Sequence, residues 1–305
     1  MTKKLISLLL AGVLALCCLT AVAEEPAVTV TDMMGREITL AEPATRIVAL
    51  TAADCEILCA LGCEDALVGR GEYCDYPASV LDKPSVQSGY ETNLEQIIAL
   101  QPQVVLMGTM AQSVEQVEAL EDAGIRVVVS DAQNIEGVYT AIRMIGALMG
   151  KEAEAETMVT QMQVGFADIA EKSQNAGKTI YFEVSPLQWG LWAAGKGTFM
   201  DEIAQLCGLT NIFSDMDGWA EVSEEAVLVR NPDYIVTTAM YFGEGPTPEE
   251  EILSRDGWAV LDAVKEGHIF NADSNAITRP GPRLLDAAYA LYEFVNAAAA
   301  EEPAA

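Results

Sequence analysis

Three cysteines repeat at intervals of four residues near the start of the sequence, at Cys55, Cys59 and Cys63. Residues four apart on a helix lie on the same face, so the three thiols would point in one direction. Such a cluster could bind a metal ion as thiolates, or it could be small apolar packing on the inner face of a helix. No histidine lies nearby, and Gly62 ends the predicted helix before Cys63. These features favour the interpretation that the three cysteines pack in the core over the interpretation that they bind a metal ion.

Residues suited to catalysis are few. His268 is the single histidine; it begins a predicted strand, is interpreted as structural, and excludes a poly-histidine metal site. The stretch 195–198 (GKGT) looks like the end of a phosphate-binding loop but lacks the earlier glycine. No nucleophile elbow or dinucleotide-binding glycine pattern stands in the right context. The sequence therefore indicates a protein that is not an enzyme, and no resident cofactor is expected.

The first 23 residues have the pattern of an export signal. Lys3 and Lys4 precede an apolar run from Leu5 to Leu19, and Ala21-Val22-Ala23 is a small-x-small cleavage pattern. Cys17 and Cys18 raise the alternative of a lipid anchor, although neither follows the small residue that a lipobox prefers. We predict an exported protein, in the periplasm or at the cell surface, with cleavage after Ala23 favoured over a lipid anchor.

The mature chain is strongly acidic. It keeps 46 acidic and 15 basic residues once Lys3 and Lys4 are removed, a formal charge of −31. Nucleic-acid binding is excluded because it depends on Lys and Arg displacing counterions. Five cysteines remain, and an odd number gives no complete disulfide framework. The redox state and pairing of those cysteines are left open: Cys55, Cys59, Cys63, Cys74 and Cys207.

Strands and helices alternate in both halves of the sequence. A hairpin is predicted around Gly35, and Thr51 is the predicted cap of a helix over about residues 52–61. Strands alternating with helices predict a parallel sheet covered on both faces. The stretches 94–105 and 223–235 both have a helix, a Pro-containing turn and a strand. This internal repeat predicts two lobes of similar design.

A long helix-compatible stretch separates the two halves. Residues 151–174 alone would form a helix about 36 Å long, which suggests a rigid connection, although an ordinary surface helix has the same pattern. The predicted organisation is a signal peptide over 1–23, a first α/β lobe over 24–150, an inter-lobe helix over 151–176 and a second α/β lobe over 177–300. Residues 243–251 (GEGPTPEEE) and 301–305 are predicted to be solvated and loosely held.

Several short stretches, in this order and at these spacings, resemble the class III substrate-binding proteins of ABC importers, which carry cobalamin, ferric siderophores or haem. They are VTDMMGR at 30–36, RIVAL at 46–50, YCDYP at 73–77, NLE at 93–95, AGKGTF at 194–199, residues 207–213, residues 219–229 and RPGPR at 279–283. The resemblance covers about residues 28–297. It implies an α/β fold of two Rossmann-like lobes with central parallel sheets, joined by a single long α-helix, with the ligand cleft between the lobes.

The same resemblance implies the residues of the cleft. Aromatic side chains at Tyr73, Tyr76, Trp192 and Trp219 would line it, and Tyr90 follows the position of a further aromatic that is Gly89 here. For each of these aromatic residues, packing in the core is the alternative. Asn275 and Arg279 would add polar contacts, and Thr51 to Asp54 could do so from a helix N-terminus. Glu95 and Glu225, one in each lobe, match the positions that meet the permease, where the alternative is a solvated glutamate.

The tyrosine-rich YCDYP stretch and the C-G-x-x-N-I-F run before Trp219 most resemble the cobalamin branch. In that branch the cysteine matching Cys207 can pair with one in the final helix, but the predicted final helix has no cysteine here. Cobalamin or another corrinoid is therefore the first choice of ligand, for a protein predicted to be a monomer. A ferric siderophore, with Arg70, Arg279 and Arg283 as anion contacts, is the second. Haem bound by a tyrosine is the third, and an exported ligand sensor is the alternative from another functional class.

Overall fold

The computed structural model describes residues 28–88, 91–109, 113–175 and 177–301, and only the backbone of residues 299–301. It begins with the predicted hairpin, in which β1 (Val28–Thr31) pairs antiparallel with β2 (Glu37–Leu40). The buried Asp32 carboxylate accepts hydrogen bonds from the backbone N–H groups of Met34 and Arg36 in the turn. It also accepts one from Val129 N at 3.2 Å, which fastens the hairpin to the first sheet.

The first sheet is entirely parallel. Its strands are β3 (Ile47–Ala49), β4 (Leu67–Gly71), β5 (Ser85–Val86), β6 (Val104–Met107) and β7 (Arg126–Val129), in the order β5-β4-β3-β6-β7. The helices around it are α1 (Ala52–Ala60), α2 (Leu94–Ala99), α3 (Val114–Asp122) and α4 (Ile135–Leu148). Strands β3 and β6 at the centre are buried along their whole length, as expected for a sheet covered on both faces.

A single long helix, α5 (Glu152–Lys172), leads from the first sheet to the second. Its 21 residues span about 30 Å. The helix buries a stripe formed by Val159, Met162, Phe166 and Ile169. Gly165 lies on the same side, and a Cβ there would come within 2.7 Å of Leu285. The glycine therefore allows the final helix of the chain to approach α5 closely.

The second sheet is mixed. Its strands are β8 (Thr179–Ser185), β9 (Trp192–Ala194), β10 (Thr210–Asn211), β11 (Trp219–Glu221), β12 (Tyr234–Thr237) and β13 (Ile269–Asn271). Its main order is β11-β9-β8-β12-β13, with β10 also paired to β8. Strands β8, β10, β12 and β13 pair parallel, whereas β9 pairs antiparallel with β8 on one side and with β11 on the other. The accompanying helices are α6 (Phe199–Leu206), α7 (Glu224–Arg230), α8 (Pro248–Leu253), α9 (Asp262–Glu266), α10 (Ser274–Thr278) and α11 (Leu284–Glu301).

The internal repeat predicted from the sequence is present in the structure. Helix α2 leads into β6, and α7 leads into β12, through turns in which Gln101 and Asn231 adopt positive φ immediately before a proline. Asn93 caps α2 and Ser223 caps α7 through their side chains. Glu95 and Glu225 therefore occupy equivalent positions in the first turns of the two helices.

The prediction that residues 243–251 are loosely held is wrong from Thr247 onward. Helix α8 starts at Pro248, and its N-terminus has a complete capping box in which the Thr247 and Glu250 side chains bond each other's backbone N–H groups. Proline at the first helical position and glutamate at the third favour a helix start. The prediction relied on the Gly, Pro and Glu content of this stretch and overlooked the capping pattern within it.

The cysteine repeat lies on α1 and just beyond it. Cys55 and Cys63 are buried in the hydrophobic core and Cys59 is half-buried, which is the environment that the packing interpretation requires. Cys74 and Cys207 are also buried, and these five cysteines carry free thiols. Among the described residues, no helix combines the length and apolar character needed to cross a membrane.

Candidate ligand-binding site

An open cavity of about 810 Å³ lies at the carboxyl ends of β8 and β12, in the middle of the second sheet. Ligands of α/β proteins bind in crevices outside this end of the strands, and small-molecule sites span about 300–1,000 Å³. The lining comes from the ends of β8 and β12, the segments that follow them, and helices α8 and α10. These residues are Glu183, Val184, Pro186, Gln188, Trp189, Thr237, Thr238, Ala239, Met240, Tyr241, Phe242, Glu244, Pro246, Pro248, Glu251, Ser274 and Thr278.

Large apolar side chains stand exposed around this cavity. Trp189 is 77% exposed and Phe242 is 86% exposed, with the exposed Met240 and Tyr241 beside them. Folded monomers seldom leave several such residues together in water unless the patch binds something. Aromatic faces also provide large contact areas at a small cost in side-chain entropy. The rim of the cavity is therefore suited to a ligand with a broad apolar surface.

An ion-pair network lies at the inner wall of the cavity. Arg255 donates to Glu183 at 2.7 and 2.9 Å and to Glu251 at 2.6 Å, and Glu183 and Arg255 are almost completely buried. Burial raises the pKa of Glu183, and the hydrogen bonds from Arg255 act in the opposite direction. Burial would lower the pKa of Arg255, but its hydrogen bonds to the two glutamates raise it overall. Arg255 is thus neutralised within the wall, while Glu251 and Glu244 leave the lining acidic.

Two of the predicted aromatic residues lie on β9 and β11, the two strands that extend the second sheet beyond β8. Trp192 on β9 is exposed and pairs in register with Ser185 at the end of β8, next to the residues that line the cavity. Trp219 on β11 is half-buried, packs edge-to-face on Phe199 at 5.3 Å, and directs its Nε1 to Gln133 Oε1 at 3.4 Å. The indole of Trp219 therefore packs against a residue that precedes α4 in the first half of the chain.

The other two predicted aromatic residues form a lip on the first half of the chain. Tyr73 is 67% exposed, and Tyr76 is exposed while its ring lies 4.0 Å from the Arg283 guanidinium. We use the name tyrosine lip for residues 73–77. It follows β4 and faces the loop between α10 and α11, so it meets the second half of the chain next to a helix that lines the cavity.

Arg279 joins the two halves of the chain instead of standing free in the cleft. Its guanidinium donates to Glu56 at 3.0 Å, to Asp75 at 2.6 Å and to the Tyr73 carbonyl oxygen at 3.3 Å. Arg283 adds two hydrogen bonds to the same buried Glu56 carboxylate, at 2.6 and 2.8 Å. The hydrogen bond from Arg279 lowers the pKa of Asp75. We call Glu56, Asp75, Arg279 and Arg283 the inter-half latch.

The remaining predicted contacts lie in different surroundings. Asn275 is the second residue of α10, between the lining residues Ser274 and Thr278. Thr51 caps α1, and its hydroxyl donates to the Asp54 carboxylate at 2.5 Å. Asp54 is fully buried, and this burial raises its pKa to about 6. Glu95 and Glu225 are exposed. Tyr90 lies outside the described residues.

The sequence interpretation missed the residues that dominate the cavity. Trp189, Tyr241 and Phe242 lie in a short turn and a loop, where hydrophobic periodicity gives no signal. The sequence feature that could have identified them is local composition, because these three aromatic residues lie in segments that are otherwise rich in Gly and Pro. The pairing of Arg255 with Glu183, 72 residues apart, had no local signal.

Comparison with known proteins agrees with this architecture. The periplasmic binding protein family model matches residues 47–276. An ABC transporter substrate-binding lipoprotein of Bacillus subtilis, YvrC, is 34% identical over 275 residues, covering 88% of this chain and 85% of that protein. The vitamin B12-binding protein of Vibrio campbellii is 28% identical, covering 80% of this chain and 87% of that protein.

A solved structure shares the fold as well. A possible iron-binding, periplasmic solute-binding protein of Staphylococcus epidermidis superimposes with a TM-score of 0.70 at 28% identity, covering 83% of this chain and 99% of that chain. The chain belongs to the periplasmic binding protein family. It is a substrate-binding protein of the ABC-importer type, a solute carrier and not an enzyme.

Proposed function

We propose that this protein binds cobalamin or a related corrinoid outside the cytoplasm and delivers it to the permease of an ABC importer. One observation carries the choice of ligand: the cavity combines an exposed aromatic rim with acidic lining residues and has no lysine or arginine among its described lining. A neutral or cationic macrocycle suits such a wall. The relatives whose names state vitamin B12 binding support the same choice.

A ferric siderophore is the second candidate, supported by the similarity to the possible iron-binding protein of Staphylococcus epidermidis. Anionic chelates favour clustered arginines. Arg279 and Arg283 are bound by Glu56, and Arg70 donates to the carbonyl oxygens of Gly71 and Glu72. A siderophore would therefore have to displace existing partners. Haem is the third candidate, with the exposed Tyr73 as the residue available to contact its iron.

The direct test is titration of the purified mature protein with cyanocobalamin, followed by gel filtration with visible absorbance read across the protein peak. We expect one corrinoid to co-elute with each protein. Ferric siderophores and haem are run in parallel. If the protein peak is colourless with cobalamin and coloured with a ferric siderophore or haem, the ligand is that other chelate and not a corrinoid. The role as a solute carrier would be unaffected.

Two variants test whether the cavity is the site. Trp189→Ala and Phe242→Ala each remove an exposed aromatic face, and each should weaken corrinoid affinity about tenfold. Val164→Ala on α5, which also removes an exposed apolar side chain, is the matched control. Unchanged affinity in both aromatic variants would place the ligand elsewhere.

We further propose that the protein is exported by its N-terminal segment and docks on the permease through Glu95 and Glu225. The name of the Bacillus subtilis relative includes the word lipoprotein, which supports an anchor at Cys17 or Cys18 as the alternative to cleavage after Ala23. The mass of the mature protein extracted with detergent from its native cells distinguishes the two, because a lipid anchor adds acyl chains to the N-terminal cysteine.

A further inference from the structure

The ion-pair network at the inner wall of the cavity joins two carboxylates to one guanidinium. Glu183 and Arg255 are almost completely buried, and Arg255 donates to both carboxylate oxygens of Glu183, at 2.7 and 2.9 Å. This two-point geometry is that of an ionised carboxylate bound to a guanidinium. Glu251 accepts from the same Arg255 at 2.6 Å, and its side chain is 42% exposed. The unbalanced negative charge of the network therefore lies on Glu251, which lines the cavity.

The positive charge of Arg255 is held away from the space that a ligand would occupy. Its guanidinium lies over the Trp258 ring, 4.4 Å from the ring centre, and the buried Trp258 donates to Glu224 at 2.8 Å. Glu183 binds both terminal nitrogens of the guanidinium. Turning Arg255 toward a ligand would leave Glu183 as a buried charge without its partner, which is strongly unfavourable. An anionic group in the cavity is therefore not able to recruit Arg255.

Glu251 is fixed in position and still has the capacity to accept a hydrogen bond. A carboxylate offers about four acceptor positions. Arg255 uses three of them, through Nε to the two oxygens at 3.0 and 3.1 Å and through one terminal nitrogen at 2.6 Å. A ligand N–H group fits the remaining position. A ligand carboxylate has no proton to donate there, and it would lie beside a like charge in a wall that is partly shielded from water.

We propose that Glu251 determines the specificity of the cavity by accepting hydrogen bonds from carboxamide N–H groups of the ligand and by rejecting ligands that place a carboxylate in the same position. This inference rests on the proposed function and adds which group of the ligand is recognised. A corrinoid ring carries carboxamide side chains around its edge. If the aromatic rim formed by Trp189 and Phe242 contacts the face of the ring, those side chains reach the inner wall.

The test compares cyanocobalamin with its monocarboxylic acids, in which hydrolysis has converted one propionamide group into a carboxylate. Each separated isomer is titrated into the purified mature protein by calorimetry. We expect at least one isomer to bind about tenfold or more weakly than cyanocobalamin, because its carboxylate faces Glu251. Isomers whose carboxylate points into water should bind as cyanocobalamin does.

Three variants assign the discrimination to one carboxylate. Glu251→Gln keeps the length of the side chain and an oxygen acceptor for Arg255 but removes the charge, so the disfavoured isomer should regain the roughly tenfold loss relative to cyanocobalamin. Glu249→Gln makes the same change in charge on the same helix, at a position outside the cavity lining, and should discriminate as the wild type does. Glu244→Gln removes the carboxylate that lines the cavity from the loop after β12, and it should also retain the discrimination.

The possible outcomes separate this inference from the proposed function. If cyanocobalamin binds but the wild type and Glu251→Gln show the same preference among the isomers, the role of Glu251 is overturned and corrinoid binding stands. Discrimination that is lost equally in Glu249→Gln, or lost only in Glu244→Gln, would overturn that role as well. If cyanocobalamin does not bind and the anionic chelate ferric citrate does, the proposed function and the role of Glu251 both fall.

Discussion

At the scale of single residues, Asp54 is a carboxylic acid in the interior at the start of α1. Its pKa is about 6 in the folded protein and 3.8 ordinarily. The folded state therefore binds the proton more tightly, so its stabilisation is complete below about pH 4 and is lost as the pH rises through 6. We expect Asp54→Asn to remove a pH-dependent contribution of about 3 kcal/mol from the free energy of unfolding.

Urea denaturation at intervals between pH 4 and pH 7 measures this effect as the difference between variant and wild type. Asp65→Asn, whose side chain is exposed on the same half of the chain, is the control and should follow the wild-type profile. Parallel profiles for Asp54→Asn and the wild type would show that the carboxyl group titrates normally.

Arg255 is the second residue whose environment makes a strong prediction. Replacing it with leucine leaves Glu183 as a buried charge without its partner, which should cost about 3–5 kcal/mol of stability in chemical denaturation. The double variant Glu183→Leu/Arg255→Leu should recover much of that loss. Arg230→Leu breaks the more exposed pair with Asp215, together with a hydrogen bond to the Ile212 carbonyl oxygen and a contact with the Phe213 ring, and should cost clearly less than Arg255→Leu. A loss of stability in Arg255→Leu no larger than that in Arg230→Leu would contradict the prediction that the buried Glu183 charge depends on Arg255.

At the scale of elements, α8 is short and depends on its capping box. Thr247→Ala removes the side-chain acceptor for the Glu250 N–H and should destabilise the helix by about 1 kcal/mol. Because α8 has only six residues, we expect faster amide hydrogen exchange across Pro248–Leu253 with little change elsewhere. Thr247→Ser keeps the hydroxyl and should retain wild-type protection.

The elements also show what local sequence can predict. The hairpin, α5 and the helix-turn-strand repeat follow from apolar periodicity and from caps such as Ser223, which are local signals. Strands β9 and β11 have three residues each and pair antiparallel at the edge of a mixed sheet. Three residues are too few to show a period, so their strand character comes only from tertiary pairing.

At the scale of the whole molecule, the inter-half latch should limit how far the two halves separate. Glu56 accepts hydrogen bonds from both Arg279 and Arg283, and α5 connects the halves by a continuous helix. We expect X-ray scattering to give the same radius of gyration with and without ligand. Glu56→Gln weakens the latch and should increase the radius of gyration of the unliganded protein. A clear compaction of the wild type on binding would contradict this prediction.

The docking proposal belongs to the same scale. Reversing Glu95 and Glu225 together to lysine should reduce stimulation of transport in reconstituted importer about tenfold or more, since charge complementarity orients the encounter. Ligand affinity should be unchanged. The double variant Glu118→Lys/Glu266→Lys makes the same change in net charge at exposed positions elsewhere and should transport normally. Loss of ligand affinity in the first variant would contradict a docking role.

Contacts between distant segments explain why the site was harder to predict than the fold. The Glu56–Arg279 bond joins residues 223 positions apart, and no local pattern indicates that Arg279 would be held by acids of the first half. Trp192 and Asn275 lie beside the cavity, whereas Asp54 is enclosed in the interior. Residue type predicted the chemistry available, but the packing of separate segments decides which side chains face a ligand.

The positions of the tryptophans should make the intrinsic fluorescence of the protein sensitive to ligand binding. Its four tryptophans, Trp189, Trp192, Trp219 and Trp258, all belong to the second half of the chain. Trp189 lines the cavity and Trp192 lies beside it, while Trp258 is fully buried and bonded to Glu224 at 2.8 Å. A coloured ligand in the cavity should quench the tryptophan emission by energy transfer, because Trp189 lines the cavity and Trp192 lies beside it. The fluorescence of the unlabelled protein would then report whether ligand occupies the cavity.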